Sequence, residues 1–276
     1  MSSVCAIELP KGSDEEAKFV RGAILAYPEL YFARLVVLVE GDSERIVLPR
    51  LAEALDLLID PAFVAIVPLG GRHVHYFWRL LKGLGIPHAT LLDLDLGRAG
   101  GGWGRIKTAI EQLIEYGASK AKLLATTDGV LSDAEFAKMH GWSHTDDHKN
   151  LKSWVDSLQP YGVYFSAPLD LDLAMLKRFP DAYKATIPSG GGPKMSVEQA
   201  DKAVLGTSGE GAAIYTGPFK NYPELLPAYR YHFLTRSKPA THLLALTHIE
   251  EEALRDDMPK VLRELLTHVD KSLRRD

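Results

Sequence analysis

The chain has 276 residues, 46% hydrophobic and 25% charged, an ordinary globular composition with room for one large domain or two small ones. Its formal net charge of −4 argues against holding a polyanion through bulk charge, so a nucleic-acid partner would need local basic patches or bound cations. A single cysteine, Cys5, excludes an internal disulfide, and residues 1–10 lack the basic start and long apolar stretch of a secretory signal; the expected location is the cytoplasm, with no membrane segment.

Residues 11–18 are charged and lead into Phe19, Val20, Ile24 and Leu25, a helix before the first strand. That strand is the apolar run Leu35-Val36-Val37-Leu38-Val39, which stops on Glu40-Gly41. The periodic set Ile46, Val47, Leu51 and Leu55 predicts a helix from Ser43 to near Leu58, with Glu44 in its first turn. A second strand at 63–67 is closed by Pro68, Gly70 and Gly71, a second helix spans 73–84, and Gly85-Ile86-Pro87 turns into a third strand at 89–92. Strand, helix, strand, helix, strand predicts an α/β fold with a doubly wound, mostly parallel sheet flanked by helices. The expected core covers 31–170 plus 236–249, with a helical insertion over about 105–160 and a further strand at 163–166. A helical lobe follows over 171–235. A short helix at 239–246 starts beside Lys238, and 250–276 holds an amphipathic C-terminal helix with Val261, Leu262, Leu265, Leu266 and Val269 on one stripe. Such a stripe covers the core or pairs with another subunit.

Acidic residues recur where these strands end. Glu40 closes the first strand and Glu44 begins the next helix, so both can face the crevice at the carboxyl edge of the sheet. Asp93-Leu94-Asp95 follows the third strand, and period-two alternation sends both aspartates to one side. Taken singly, such a pair also suits a turn or a helix cap. It recurs, however, as Asp170-Leu171-Asp172, just after Val163-Tyr164-Phe165-Ser166. Like charges brought together raise each other's pKa, and six carboxylates on one edge suit hard cations such as Mg²⁺ or Mn²⁺, two of them by the number of ligands.

Val39-Glu40-Gly41-x-x-Glu44 with the later Leu92-Asp93-Leu94-Asp95 resembles the Toprim domain of topoisomerases, primases and several nucleases. With Leu48-Pro49, Gly85-Ile86-Pro87 and Ser237-Lys238-Pro239 added, residues 30–250 resemble the carboxyl-terminal region of OLD-family (overcoming lysogenization defect) nucleases. The resemblance implies a metal-dependent DNA endonuclease with a two-metal mechanism. Glu40, Glu44, Asp93, Asp95, Asp170 and Asp172 would hold Mg²⁺ or Mn²⁺, with Ca²⁺ as a further candidate. Glu40 and Asp95 would act with Lys238, whose charge offsets that of the pentacovalent phosphate, and Ser166 would add a hydroxyl ligand. The third acidic group reads Asp-Leu-Asp where many relatives carry a glutamate, which leaves open whether Asp170 or Asp172 is the ligand. The family also implies an upstream ATPase domain, and any homo-oligomer would form through the full-length protein; no Gly-x-x-x-x-Gly-Lys-Ser/Thr occurs here, so nucleotide hydrolysis is not expected of these residues.

Other features compete. The glycines from Gly97 to Gly104 read as a flexible loop beside the acidic site, since a P-loop lysine is lacking. His140, His144 and His148 have zinc-ligand spacing but no supporting context, and a polar loop is the simpler reading. Arg72 or His73 is a candidate DNA contact. Lys177, Arg178, Lys184, Lys194 and Lys202 form either a phosphate-tracking surface or a solvated face. Two further functions remain compatible with the carboxylates: another phosphoryl-transfer activity, phosphatase or primase-like, and a non-catalytic interaction module stabilised by a metal.

Overall fold

The structure, a computed structural model, describes residues 21–22, 25–69, 74–143 and 148–274. Residues 11–20, Gly70, Gly71, Arg72, His73 and His144 lie outside the described residues, and so do the features expected of them.

Its centre is a parallel four-stranded sheet in the order β2-β1-β3-β6. The strands are β1 (Leu35–Val39), β2 (Val64–Pro68), β3 (His88–Asp93) and β6 (Val163–Ser166), while the two-residue strands β4 (Ala125–Thr126) and β5 (Gly129–Val130) form a separate antiparallel pair. All five residues of β1 are buried, as expected of an inner parallel strand covered on both faces. The chain runs from β1 outward to β2 and then crosses back to β3 on the other side of β1. This reversal opens a crevice between the carboxyl ends of β1 and β3. In register, Asp93 of β3 stands opposite Ser166 of β6.

The Asp42–Ala54 helix follows β1 directly and ends four residues short of the expected Leu58, because Asp56 takes a left-handed φ of 58°. The Lys238–Leu246 helix packs against it, which brings Lys238 to the carboxyl edge of the sheet. The insertion between β3 and β6 is not purely helical. It holds the β4–β5 pair between helices at Lys120–Leu123 and Asp133–Lys138. The C-terminal stripe folds back on its own chain: Leu262, Leu265, Leu266 and Val269 of the Lys260–Leu273 helix are buried against β1, β3 and β6.

Two further expectations are corrected. Strand β3 ends at Asp93, and Asp95 has a left-handed φ of 53°, so the alternation meant to align both aspartates stops before the second. The Gly97–Gly104 loop is tied down rather than loose. Gly211 N–H donates to the Gly97 carbonyl at 3.0 Å, Gly102 N–H donates to the Leu94 carbonyl at 2.7 Å, and a Cβ on Gly101 would fall 1.8 Å from the Asp95 carbonyl oxygen.

Candidate functional site

A cleft of about 510 Å³ opens at the carboxyl edge of the sheet and is lined by Glu40, Glu44, Asp93, Asp170, Asp172 and Lys238 with their neighbours. Chain order explains the convergence. Glu40 follows β1, Glu44 lies in the first turn of the next helix, Asp93 ends β3, and Asp170 and Asp172 open the Leu171–Arg178 helix after β6. Of the residues expected at the site, Asp95 and Ser166 lie outside this lining.

The floor is formed by Glu40 and Asp93. Asp93 N–H donates to Glu40 Oε1 at 3.0 Å, joining the ends of the two central strands. Burial, then the charge of Glu40, pushes the Asp93 carboxyl well above its usual range. Its Oδ1 is buried and has no hydrogen-bond partner among the described residues, and the same holds for Ser166 Oγ on the neighbouring strand. Burial also raises Glu40, against the pull of Arg105.

Glu44 is buried and raised to about 8, first by burial and then by the charge of Asp172. One of its oxygens accepts from Gly41 N–H at 3.1 Å, which ties down the helix start. Asp170 caps the Leu171–Arg178 helix: Oδ1 accepts from Leu173 N–H at 2.9 Å and Oδ2 accepts from the Tyr229 hydroxyl. Burial and the charge of Asp172 raise it to about 6. Asp172 goes the other way. Burial pushes it up, but His242 and Lys238 together hold it down at about 2. Its Oδ2 lies 2.5 Å from Lys238 Nζ, and its Oδ1 lies 2.7 Å from His242 Nε2. Lys238 is the first residue of its helix, where the dipole disfavours a cation; Asp172, with Asp170 at 4.0 Å, offsets that.

At the rim, Asp95 faces two arginines. Arg98 Nη1 donates to its Oδ1 at 2.7 Å, and Arg105 donates to its Oδ2 through Nε at 3.0 Å and through Nη2. Arg105 Nη2 also reaches Glu40 Oε2 at 3.3 Å. Both carboxylate oxygens of Asp95 are thus engaged by guanidinium groups, and among the described residues no three His, Cys, Asp or Glu side chains converge in metal-ligating geometry.

The sequence reading missed Arg98, Arg105, Tyr229, His242 and Tyr183. Arg98 and Arg105 flank the glycine run just after the Asp-Leu-Asp, a faint signal; the other three act from positions far away in the chain. Of the proposed basic surface, Arg178 pairs with Asp257, Lys202 pairs with Glu198 and Lys177 lies over the Tyr222 ring. Those three fit a locally paired, solvated face. His140 is exposed on a 3₁₀ turn, and the other two histidines of the zinc spacing have no described side chains.

Comparison with known proteins bears on this edge of the sheet. Residues 31–95 match the overcoming lysogenization defect protein-like TOPRIM domain. That segment carries Glu40, Glu44, Asp93 and Asp95, so the resemblance noted in the sequence and the family match rest on the same strand ends. The C-terminal region of the Burkholderia pseudomallei OLD protein superposes with a TM-score of 0.51 at 19% identity, over 88% of this chain and 99% of that one. The C-terminal region of the Xanthomonas campestris pv. campestris OLD protein superposes at 0.48 and 19% identity, over 89% and 96%. The Burkholderia likeness is one of fold, here a mostly parallel sheet flanked by helices. No curated protein matches the chain. No helix among the described residues is long and apolar enough to cross a membrane.

Proposed function

We propose that the chain is a divalent-metal-dependent DNA endonuclease, nicking and cleaving phosphodiester bonds with two cations, and that it is the catalytic part of a longer ATPase–nuclease. The observation that carries this reading is a charge imbalance in one place. Five carboxylates (Glu40, Glu44, Asp93, Asp170 and Asp172) line the crevice with Lys238, and a sixth, Asp95, stands at the rim with Arg98 and Arg105. Deficits of this kind are relieved by bound cations or by protons, and burial with neighbouring carboxylates raises both Glu44 and Asp93.

The donor set fits a hard cation: oxygen ligands only, with buried atoms that lack a partner among the described residues on Asp93 and Ser166, which are opposite each other in the β3–β6 register. Glu40, Glu44, Asp93, Asp95 and Asp172 are the proposed ligands, with Ser166 adding a hydroxyl. Asp172 is preferred over Asp170, whose two oxygens serve a helix cap and a buried tyrosine, whereas Asp172 Oδ2 meets the partly exposed Lys238. Bound Mg²⁺ or Mn²⁺ would supply Lewis acidity at the phosphodiester and neutralise charge as it develops. The chain's own contribution is distinct. Lys238, freed from Asp172, offers its ammonium to a phosphate oxygen, while Arg105 and Arg98, freed from Asp95, offer planar donors to the flanking backbone.

Incubation with supercoiled plasmid tests this. The wild type nicks and linearises DNA with Mg²⁺ or Mn²⁺, while Glu40→Gln and Asp93→Asn stay folded and inactive. Intact plasmid in every metal, from protein that binds those metals, defeats the nuclease reading. Preferential hydrolysis of small phosphoesters would move the assignment to another TOPRIM phosphoryl transfer.

A further inference from the structure

Behind the cleft, away from solvent, a line of hydrogen bonds runs from Asp172 through His242 to Tyr183. His242 Nε2 is 2.7 Å from Asp172 Oδ1, and His242 Nδ1 is 2.6 Å from the Tyr183 hydroxyl. Both side chains are shut off from solvent, each residue 0% exposed. Three elements meet in this line: the Leu171–Arg178 helix, the Pro180–Ala185 helix and the Lys238–Leu246 helix.

Its direction follows from which group can donate. Burial, then the charge of Asp172, pushes the Tyr183 phenol well above its usual range, so it keeps its proton and donates to Nδ1. With Nδ1 accepting, the imidazole proton belongs on Nε2, which donates to the carboxylate. The ring plane is also held. Phe233 stacks on His242 at 5.0 Å between centroids, and Tyr183 meets it edge-on at 5.6 Å. His242 follows Lys238 by one helical turn, so one face of a single helix grips both oxygens of Asp172.

Packing alone does not call for this. A buried polar chain costs desolvation that an apolar pair of equal volume would avoid, so its presence suggests a task in orientation. We propose that His242 and Tyr183 are positioning residues that fix the Asp172 carboxylate, occupying Oδ1 so that Oδ2 is presented to the cleft as a cation ligand. The inference rests on Asp172 being a metal ligand but not on the reaction that follows.

Mn²⁺ binding, measured by electron paramagnetic resonance and titration calorimetry, tests it without any DNA. His242→Ala weakens Mn²⁺ binding by about 10- to 100-fold, the range typical of losing a partner that orients a ligand. His242→Gln, which can return an N–H to the position of Nε2, recovers most of the affinity, a rescue that a purely space-filling role would not produce. Tyr183→Phe removes one oxygen and weakens binding several-fold; it decides the matter if His242→Ala does not fold, as judged by circular dichroism. Wild-type affinity in His242→Ala or Tyr183→Phe, or equal losses in His242→Ala and His242→Gln, overturns the proposal. Absence of Mn²⁺ binding by the wild type overturns it together with the metal site. Normal Mn²⁺ binding with uncut plasmid defeats only the nuclease reading.

Discussion

Arg105 ties Glu40 to Asp95: its Nη2 lies 3.3 Å from Glu40 Oε2 and is hydrogen-bonded to Asp95 Oδ2, 65 and 10 residues away in the chain. A guanidinium there shares its single charge between two carboxylates that the proposed function assigns to a metal, so the arginine and the cation compete for the same oxygens. Arg105→Ala is therefore expected to bind Mn²⁺ several-fold more tightly than the wild type. The same variant cleaves DNA more slowly at saturating metal, because a donor to the phosphate backbone is gone. Calorimetry beside a plasmid assay checks both signs; weaker Mn²⁺ binding in the variant would show that Arg105 supports the site rather than competing for it.

The two aspartates after β6 separate by readout. Asp170 caps a helix, and replacing a capping aspartate by alanine costs about 0.5–2 kcal/mol, so Asp170→Ala melts at lower temperature. Asp172→Asn keeps the shape and one acceptor oxygen, but loses the charge that a cation requires. Its Mn²⁺ affinity is expected to fall by at least tenfold with the far-ultraviolet spectrum unchanged. The reverse pattern would exchange the two assignments.

Stability should depend on pH in a way that a metal corrects. A carboxyl whose pKa is higher in the folded state binds its proton more tightly there, so its ionisation works against the fold. For Asp170, raised to about 6, and Glu44, raised to about 8, the penalty is absent below about pH 4 and grows until pH passes each folded value. Asp172, held at about 2, contributes stability that is lost only as pH falls toward that value. Metal-free protein is thus expected to lose melting temperature between pH 5 and pH 8, and saturating Mg²⁺ is expected to raise it more at pH 8 than at pH 5. At 100 times its Kd, a ligand stabilises by about 2.7 kcal/mol, enough to be seen by scanning calorimetry. An equal Mg²⁺ effect at both pH values would argue against cations and protons sharing these carboxylates.

The C-terminal helix gives a test of the fold. Leu265 and Leu266 are buried on the sheet, so Leu265→Ala should lower the unfolding free energy by about 2–5 kcal/mol and leave the oligomeric state unchanged. A change in assembly without loss of stability would assign this stripe to a subunit contact.

Much of the sheet and its acidic edge was legible because the signals are local. Apolar runs at 35–39, 63–67, 89–92 and 163–166 match β1, β2, β3 and β6 to within a residue at each end, and each carboxylate stands at or shortly after a strand end. Asp95 escaped because alternation was carried two residues too far; the backbone turns left-handed there, and the close approach of Gly101 is a tertiary fact. His242 and Tyr183 were illegible for a different reason. They are 59 residues apart, and a histidine on an apolar helix face looks the same whether it fills space or orients a ligand. Lys238 was noticed by its motif, but its grip on Asp172 depends on how two helices pack.

The central claim is that cations displace arginine and lysine from these carboxylates and bind between the ends of β1, β3 and β6. Anomalous diffraction at the manganese edge from crystals grown with Mn²⁺ tests it most directly. The account predicts two peaks about 3.5–4 Å apart among Glu40, Glu44, Asp93, Asp95 and Asp172, with Arg105 and Lys238 moved off their present partners. A map with no peak there, and with Arg105 still on Asp95 and Lys238 still on Asp172, would contradict it.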